Sequence, residues 1–254
     1  MKKRQRLRRA LLLVSFLLFP ITINYFSPYL ILQGSMEGVL TGSALLFLGQ
    51  FLFSIFLGRL FCGWLCPAGA LQEACAGIVD KPVKKKADVV KYIIWVPWLG
   101  SIIAGFVVAG GIQKIDPIYY TDGGISVNEP TRYVIYFGFI LLVLVLALTV
   151  GRRGACHTVC WMAPFMVLGG LFGRFLHIPA LQMKPAPQGC ISCKACNRAC
   201  PMSLPVQSMV AKGNMQHTEC ILCGNCADAC PKHVITMGFQ AYDKSVGQSM
   251  DISH

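Results

Sequence analysis

The chain has 254 residues, of which 55% are hydrophobic and only 13% are charged. Soluble domains carry about 25% charged residues, so this composition predicts a membrane protein and excludes an ordinary soluble domain. The formal charge of +12 does not indicate a nucleic-acid-binding protein, because the cations do not form a patch interleaved with exposed aromatic residues.

Four apolar stretches are long enough to cross a bilayer, which needs about 20 helical residues. They cover residues 10–33, 39–57, 91–110 and 133–150. Each should be a transmembrane helix, because lipid offers no partners for the backbone groups of an open strand. Pro20 and Pro28 are expected to kink the first helix.

Lys and Arg residues lie almost entirely on one side of these helices. Of the 23, six lie in residues 1–9, six in residues 59–91 and nine after residue 150, whereas the other loops hold only Lys114 and Arg132. The positive-inside rule therefore predicts a multi-pass protein of the cytoplasmic (inner) membrane, with both termini and the middle loop cytoplasmic. A cleaved signal peptide is the alternative, but the first apolar run is too long and lacks a small-x-small cleavage site.

A motif with two cysteines follows the second and the fourth apolar stretch. Both copies read R-x2-C-x3-C and close a pair of helices, so the membrane part is predicted to consist of two hairpin repeats. Cysteines four apart share one face of a helix, with Cβ atoms about 5–6 Å apart. Four such thiolates suit one [4Fe-4S] cluster between the hairpins. The expected ligands are Cys62, Cys66, Cys156 and Cys160.

Other interpretations of these motifs stay open. The cysteines could be buried structural thiols, or each motif could hold a cluster of its own. Cys75 is either a fifth candidate ligand or a packed thiol. Arg59 and Arg153 are expected to anchor the helix ends by extending to lipid headgroups, and they could also stabilise a negatively charged cluster and raise its potential.

Eight further cysteines lie in two runs, "CISCKACNRACP" and "CILCGNCADACP". Both read C-x2-C-x2-C-x3-C-P, and in such runs the fourth cysteine ligates the other cluster. The spacing predicts two [4Fe-4S] clusters rather than structural zinc, which prefers C-x2-C pairs set further apart. The stretch "VITMGF" should form a closing strand. The expected ligand sets are Cys190, Cys193, Cys196 and Cys230 for one cluster, and Cys200, Cys220, Cys223 and Cys226 for the other.

Together, these motifs resemble the NapH type of membrane polyferredoxin, which is related to the redox half of NosR-type proteins. The resemblance rests on "CGWLCPAG" after one helix, a second C-x3-C after a later helix, and a segment similar to the bacterial two-cluster ferredoxin. It covers nearly the whole chain and implies a quinol-linked electron-transfer subunit that works with reductase partners. The second motif departs from the family pattern, with Trp161 in place of the usual proline.

The predicted fold class is an α-helical membrane protein with a small α+β ferredoxin-like cytoplasmic domain. We place the four-helix membrane domain at residues 1–183, the ferredoxin domain at 184–240 and a polar tail at 241–254. No C-x-x-C-H motif, nucleotide-binding glycine pattern or histidine within a predicted span is present. We therefore predict no haem, flavin or NAD on this chain.

A quinone site needs an apolar slot with a few polar groups and a nearby proton acceptor. Trp64, Gln72 and Gln50 are candidates, with Glu73 as the proton acceptor. The structural alternatives are an interfacial anchor for Trp64, a solvated position for Glu73 and a helix–helix hydrogen bond for Gln50.

Three functions fit these features. The first is electron transfer between the quinone pool and a partner redox protein, such as a ferredoxin, cytochrome or reductase, in an anaerobic respiratory chain. The second is an electron conduit without its own quinone site, and the third is a redox-sensing regulatory or maturation protein. Residues 162–175 are too short to span and should lie as an interfacial helix over the cluster. The loop at 112–132 could dock a partner or form a solvated linker.

Overall fold

The structure is a computed structural model that describes residues 3–84 and 87–241. The described part is mostly helical and carries two small two-stranded sheets. Helices α1 to α13 are, in order, Lys3–Leu17, Phe19–Thr22, Pro28–Met36, Gly42–Leu57, Leu60–Trp64, Pro67–Cys75, Ala87–Val108, Pro130–Thr149, Gly154–Thr158, Met162–Phe175, Ala195–Ala199, Val206–Ala211 and Asn225–Ala229. Strands β1 to β4 are Val39–Thr41, Lys114–Asp116, Ala180–Pro185 and Ile235–Gln240, and 3-10 helices cover Ile23–Phe26 and Pro187–Gly189.

Two helices of the described part are long and apolar enough to cross a membrane, α7 with 22 residues and α8 with 20. They match the third and fourth predicted spans. α1 and the segment Phe19–Phe26 would form one span only with a bend of 58° between them. α4 has 16 residues and α10 has 14, so both are shorter than a typical span.

The kinks expected at Pro20 and Pro28 coincide with breaks in the helix over residues 10–33. α1 ends at Leu17, and Pro20 lies in the first turn of α2. α3 begins at Pro28, because a fixed φ and a missing N–H suit the first position of a helix. Ser27 caps this helix by accepting a hydrogen bond from Leu30 N at 3.4 Å. The stretch therefore bends at the first proline and begins a new helix at the second.

The second predicted span also begins differently, because residues 39–41 form β1 instead of the start of a helix. β1 pairs in parallel with β2 from the loop at 112–132. Ser126 of that loop is fully buried, and its N and Oγ both donate to Ile21 O, at 3.1 and 2.6 Å. The loop therefore packs against the chain itself and is not a solvated linker. Docking of a partner there stays a prediction.

The two halves of the membrane part repeat one pattern, consistent with the expected hairpin repeats. α4 and α8 are each followed by a five-residue helix that begins directly after Arg59 or Arg153. A longer helix, α6 or α10, begins within two residues of the motif's second cysteine. α10 packs closely against α4, since a Cβ atom on Gly169 would lie 2.3 Å from Phe51 O.

The ferredoxin part contains α11, α12 and α13 and an antiparallel sheet. β3 pairs with β4 along its whole length, from Ala180 opposite Gln240 to Pro185 opposite Ile235. The expected closing strand is thus confirmed as β4, whereas β3 was not predicted and crosses the proposed domain boundary at 183/184. Apart from Ala241, the predicted polar tail lies outside the described residues.

Candidate iron–sulfur site

The cysteines of the ferredoxin part line two separate cavities. One cavity is lined by Cys190, Cys193, Cys196 and Cys230. The other is lined by Cys200, Cys220, Cys223 and Cys226. The structure therefore brings together the same two sets that the spacing predicts, although ligation itself stays a prediction.

Matched backbone turns explain how each run divides its cysteines between the two cavities. Lys194 and Gly224 occupy the left-handed region, with φ of 57° and 74°, immediately before α11 and α13. Cys200 and Cys230 follow these helices with the same extended backbone, φ −78° and ψ 115°. The short helix turns the chain tightly, and the extended residue after it directs the fourth thiol into the neighbouring cavity.

Burial disfavours the thiolate form of the cysteines that line these cavities. It raises the pKa of Cys220 to about 12 and that of Cys223 to about 11, although backbone N–H groups partly offset the effect. Thiolate ligands therefore need a positively charged core beside them, which bound iron supplies.

The cysteines of the two membrane motifs also come together. Cys62, Cys66 and Cys156 are buried and Cys160 is half-buried. Burial raises the pKa of Cys66 well above its usual range, and the nearby sulfurs of Cys62, Cys156 and Cys160 raise it further. The two motifs thus form one group of four interacting thiols. Met166 of α10 covers this group, with its Sδ 3.4 Å from Cys62 Sγ.

The spacing of the cysteines argues against a single metal ion. Tetrahedral zinc with Zn–S bonds of about 2.3 Å needs sulfur atoms roughly 3.8 Å apart. Within residues 3–84 and 87–241, no group of three cysteine sulfurs lies within 4.8 Å of one another. The cysteine sets therefore fit a larger core of several atoms better than one zinc ion.

Gln72 and Arg153 tie the two membrane motifs together. The Gln72 side chain accepts a hydrogen bond from Ala155 N at 2.9 Å and donates to Cys156 Sγ at 3.3 Å. Arg153 donates to Cys62 O at 2.7 Å. Each motif is therefore held by a side chain that belongs to the other half of the membrane part.

The expectation that Arg59 and Arg153 extend to lipid headgroups is wrong. Their exposed fractions are only 3% and 1%. Arg59 pairs with Glu219 at 2.7 Å, and Arg153 pairs with Glu73 at 2.6 Å. Both side chains turn inward because a buried carboxylate and neighbouring sulfurs stabilise the guanidinium better than the distant headgroups do.

A charged network that the sequence analysis missed joins the membrane part to the ferredoxin part. Glu219 accepts from Arg59 at 2.7 Å and from Lys91 at 2.6 Å. Burial alone would raise the pKa of Glu219, but these two cations lower it to about 2. Asp88 and His157 complete the group, with His157 Nδ1 2.6 Å from Asp88 Oδ1. Lys91 occupies the position between the two carboxylates that a metal ion would otherwise take.

Side chains of the membrane part also donate hydrogen bonds to backbone carbonyls of the ferredoxin part. Trp64 Nε1 donates to Leu222 O at 3.1 Å, and Gln5 Nε2 donates to Cys223 O at 3.0 Å. A Cβ atom on Gly63 would lie 2.3 Å from Ile221 O, so only glycine allows this approach. The chain around Cys62 is thus in direct contact with the loop that carries Cys220 and Cys223.

Two family models match the chain, and both describe iron–sulfur proteins. A 4Fe-4S binding domain matches residues 39–86, which include the first membrane motif. A 4Fe-4S dicluster domain matches residues 189–235, which include both C-terminal runs. No solved structure matches the chain.

Three relatives of the chain are named for electron transport, regulation and methylamine utilisation. YccM of Escherichia coli, named an electron transport protein, is 23% identical over 80% of this chain. The regulatory protein NosR of Stutzerimonas stutzeri is 26% identical over 65% of it, and the ferredoxin-type protein MauN of Methylorubrum extorquens is 27% identical over 83%. The chain is therefore similar to NosR-type proteins and matches two 4Fe-4S binding domain models. It spans 57% of the length of YccM, 22% of NosR and 73% of MauN.

Of the four predicted quinone-site residues, Trp64, Gln72 and Glu73 are engaged within the protein, whereas the buried Oε1 of Gln50 has no hydrogen-bond partner in the described ranges. Trp64 and Gln72 make the hydrogen bonds described above, so neither is an open quinone ligand or an interfacial anchor. Gln50 Nε2 lies 3.5 Å from Met162 Sδ, which joins α4 to α10 as the structural alternative expected.

Glu73 is neither a solvated residue nor a suitable proton acceptor. Arg8 binds both of its carboxylate oxygens at 2.8 Å, and Arg153 binds one of them at 2.6 Å. Burial would raise the pKa of Glu73, but the two arginines lower it to about 2. The carboxylate therefore stays ionised at neutral pH and serves as a structural anion.

Cys75 lies apart from the membrane cysteine group. It is buried on α6, and burial is the cause that raises its pKa. The other membrane cysteines affect one another's pKa values but not that of Cys75. This arrangement favours a packed thiol over a fifth ligand.

Proposed function

We propose that this protein holds three [4Fe-4S] clusters and passes electrons between the quinone pool of the cytoplasmic membrane and a soluble redox protein of an anaerobic respiratory chain. The observation that supports the proposal is one continuous buried cluster of residues that contains cysteines of all three sets, including Cys62, Cys156, Cys200, Cys223 and Cys230. Such a cluster gives electrons a short path between the membrane part and the ferredoxin part.

The proposed ligands are the three cysteine sets that the structure brings together. Bound clusters would supply one-electron storage at each set. In the membrane part, the ligands are Cys62, Cys66, Cys156 and Cys160. In the ferredoxin part, they are Cys190, Cys193, Cys196 and Cys230 for the outer cluster, and Cys200, Cys220, Cys223 and Cys226 for the inner cluster.

Unpartnered donors beside the membrane cysteines fit a bound cluster at that place. The Nε atoms of Arg59 and Arg153 are buried and have no acceptor within the described ranges. Both guanidinium groups interact electrostatically with membrane cysteines, Arg59 with Cys62 and Arg153 with Cys156. Sulfur atoms of a cluster are suitable acceptors for such donors, and the positive charges would offset the charge of four thiolates.

A cavity between α10 and the ferredoxin part is the best candidate for a quinone site. Its enclosed volume is about 70 Å³, so a quinone headgroup would have to displace lining side chains to enter it. Leu171 and Leu222 give it an apolar wall, and His217 adds a polar group. Cys220 and Met166 also line it, and Met166 contacts Cys62. A headgroup held there would adjoin ligands of both the membrane cluster and the inner cluster.

The test uses the full chain, purified without oxygen and placed in lipid nanodiscs. We expect about 12 iron atoms per chain and reduction of the clusters by a short-chain quinol. Leu171→Trp should fill the cavity and slow that reduction by at least about tenfold, whereas dithionite should still reduce every cluster. Leu168→Trp on the exposed side of the same helix is the matched control.

Two outcomes separate the alternatives. If quinol never reduces the wild-type clusters while dithionite does, the quinone-linked function is wrong and the conduit function remains. If quinol reduces the wild type and Leu171→Trp equally fast, the function stands but the cavity is not the site.

A further inference from the structure

Charges in the ferredoxin part are divided between two faces. Residues 184–240 contain only two carboxylates, Glu219 and Asp228. Both point at the membrane part, where Glu219 binds Arg59 and Lys91 and Asp228 binds Arg4 at 2.9 Å. The acidic side chains of this segment are therefore used in holding it to the rest of the chain.

The opposite face carries only positive charge. It surrounds the outer cysteine set, and Lys194 and Lys232 line the cavity of that set. Lys194, Lys232 and Lys212 are all exposed, and no carboxylate of the described residues forms an ion pair with them. This outer face consists of Ile191, Cys193, Lys194 and Lys232.

The centre of the outer face is suited to close contact with a protein. Ile191 is 58% exposed, and Cys193, two residues further on, is exposed as well. An apolar centre with a charged rim is the usual anatomy of a transient protein interface. Cys193 makes the outer set the one cysteine set with an exposed member. A partner bound here would therefore come closer to the outer cluster than to either of the other two proposed clusters.

We propose that the outer face docks a small acidic one-electron carrier protein, of the ferredoxin or flavodoxin class. The inference rests on the proposed function in that it needs a cluster at the outer cysteine set. Opposite charges would steer the carrier to the lysines, and Ile191 would pack against its apolar surface. In each encounter one electron passes between the carrier and the outer cluster, so that one protein is oxidised as the other is reduced, and no bond is made or broken.

An anionic lipid surface is the other occupant that lysines could attract, but the observations favour a protein. The segment already binds the membrane part through its acidic side, which directs the outer face elsewhere. Binding of lipid headgroups would also not explain why the lysines surround a proposed redox centre. We therefore treat binding to lipid as an outcome of the test.

The test pairs dithionite-reduced full-length protein in nanodiscs of neutral lipid with an oxidised plant-type [2Fe-2S] ferredoxin of strongly negative charge. Stopped-flow absorbance gives the second-order rate constant, and binding is measured separately between the oxidised proteins. We expect the rate to fall steeply with added salt. The double variant Lys194→Glu/Lys232→Glu should lower both rate and affinity about tenfold at low salt. Lys212→Glu should have a smaller effect in the same direction, because Lys212 lies outside both cysteine runs.

Lys114→Glu is the matched control, because it makes the same charge change at an exposed site far along the chain from the outer face. It should leave rate and affinity unchanged. Iron content and midpoint potentials of each variant separate a docking defect from a damaged or shifted cluster.

Three results would overturn the docking proposal without touching quinol reduction, which is measured separately. The first is an equal effect of Lys114→Glu and of the double variant. The second is equally fast reaction of the wild type with a basic c-type cytochrome. The third is loss of binding to anionic phosphatidylglycerol vesicles in the double variant while electron transfer to the ferredoxin is unchanged.

Discussion

Single residues beside the membrane cysteines would set how well the proposed cluster is held and at what potential. A buried guanidinium is costly unless it is paired, and Arg153 has both a carboxylate partner and nearby sulfurs. Gln72 adds a direct N–H···S contact to Cys156. Groups that hydrogen-bond to metal ligands in this way usually tune the potential of the bound metal centre.

The shared membrane cluster can be tested by removing one cysteine from each motif. Cys62→Ala and Cys156→Ala should each lower iron from about 12 to about 8 atoms per chain and abolish the same EPR signal, because a cubane needs all four ligands. Cys75→Ala is the matched control and should retain about 12. Loss of different signals in the two variants would instead mean that each motif holds its own site.

Arg153 should raise the potential of that cluster. Replacing it by Gln removes a positive charge and donors, so we expect the midpoint to fall by about 60 mV, a tenfold change in a one-electron equilibrium. Arg153→Lys should recover part of the shift, and Arg132→Gln in the remote loop should cause none. Potentiometric EPR measures the change, and a shift confined to the ferredoxin clusters would contradict the assignment.

The cysteine sets could be predicted from sequence because their spacing is local and chemically specific. The partners of Arg59 and Arg153 could not, because positive-inside statistics describe where such residues lie and not where they point. Glu219 follows Arg59 by 160 residues, and nothing nearby in sequence connects them. The available signal in the sequence was the position of Glu219, directly before the first cysteine of the second run.

At the scale of elements, α7 and α8 agree with prediction because uninterrupted apolar runs leave helix as their only stable form in lipid. In the stretch at 10–33 the two prolines mark where the helix breaks, but composition alone could not show that it divides into separate short helices. At β1 the helix prediction fails, since its partner β2 lies in a distant loop. Pairing with this distant strand, and not the local sequence, determines the structure of β1.

Close packing of α10 on α4 should depend on Gly169. A Cβ atom there would lie 2.0 Å from Ser54 Oγ, so Gly169→Leu must separate the helices and lift Met166 from Cys62. We expect a loss of about 1–3 kcal/mol of stability and a weaker membrane-cluster signal. Gly49→Leu on α4 is the control, because nothing lies within 4 Å of its Cβ position. Thermal unfolding measures the difference, and equal behaviour of the two variants would contradict this packing.

At the scale of the whole molecule, Glu219 holds the ferredoxin part to the membrane part. Its carboxyl pKa is lowered from 4.5 to about 2, so its contribution is complete above about pH 4.5 and is lost as the pH falls through 2. Glu219→Gln should therefore weaken the contact at neutral pH by about 3–5 kcal/mol, since it leaves buried cations with less compensation.

Hydrogen–deuterium exchange around residues 58–66 would measure this loosening. Asp228→Asn, at the edge of the same contact, should have a smaller effect, because its pair with Arg4 is more exposed. Protection that is unchanged in Glu219→Gln would show that backbone contacts such as Gly63 with Ile221 suffice to hold the two parts.

The pairing of Arg59 and Lys91 with Glu219 also constrains biogenesis. At about 5–20 residues per second, the ribosome makes Arg59 roughly 8–32 s before its carboxylate partner exists. During that interval Arg59 lacks its carboxylate partner, whereas Lys91 can already pair with Asp88. The buried contact between the two parts can therefore form only after the segment that carries Glu219 has been made.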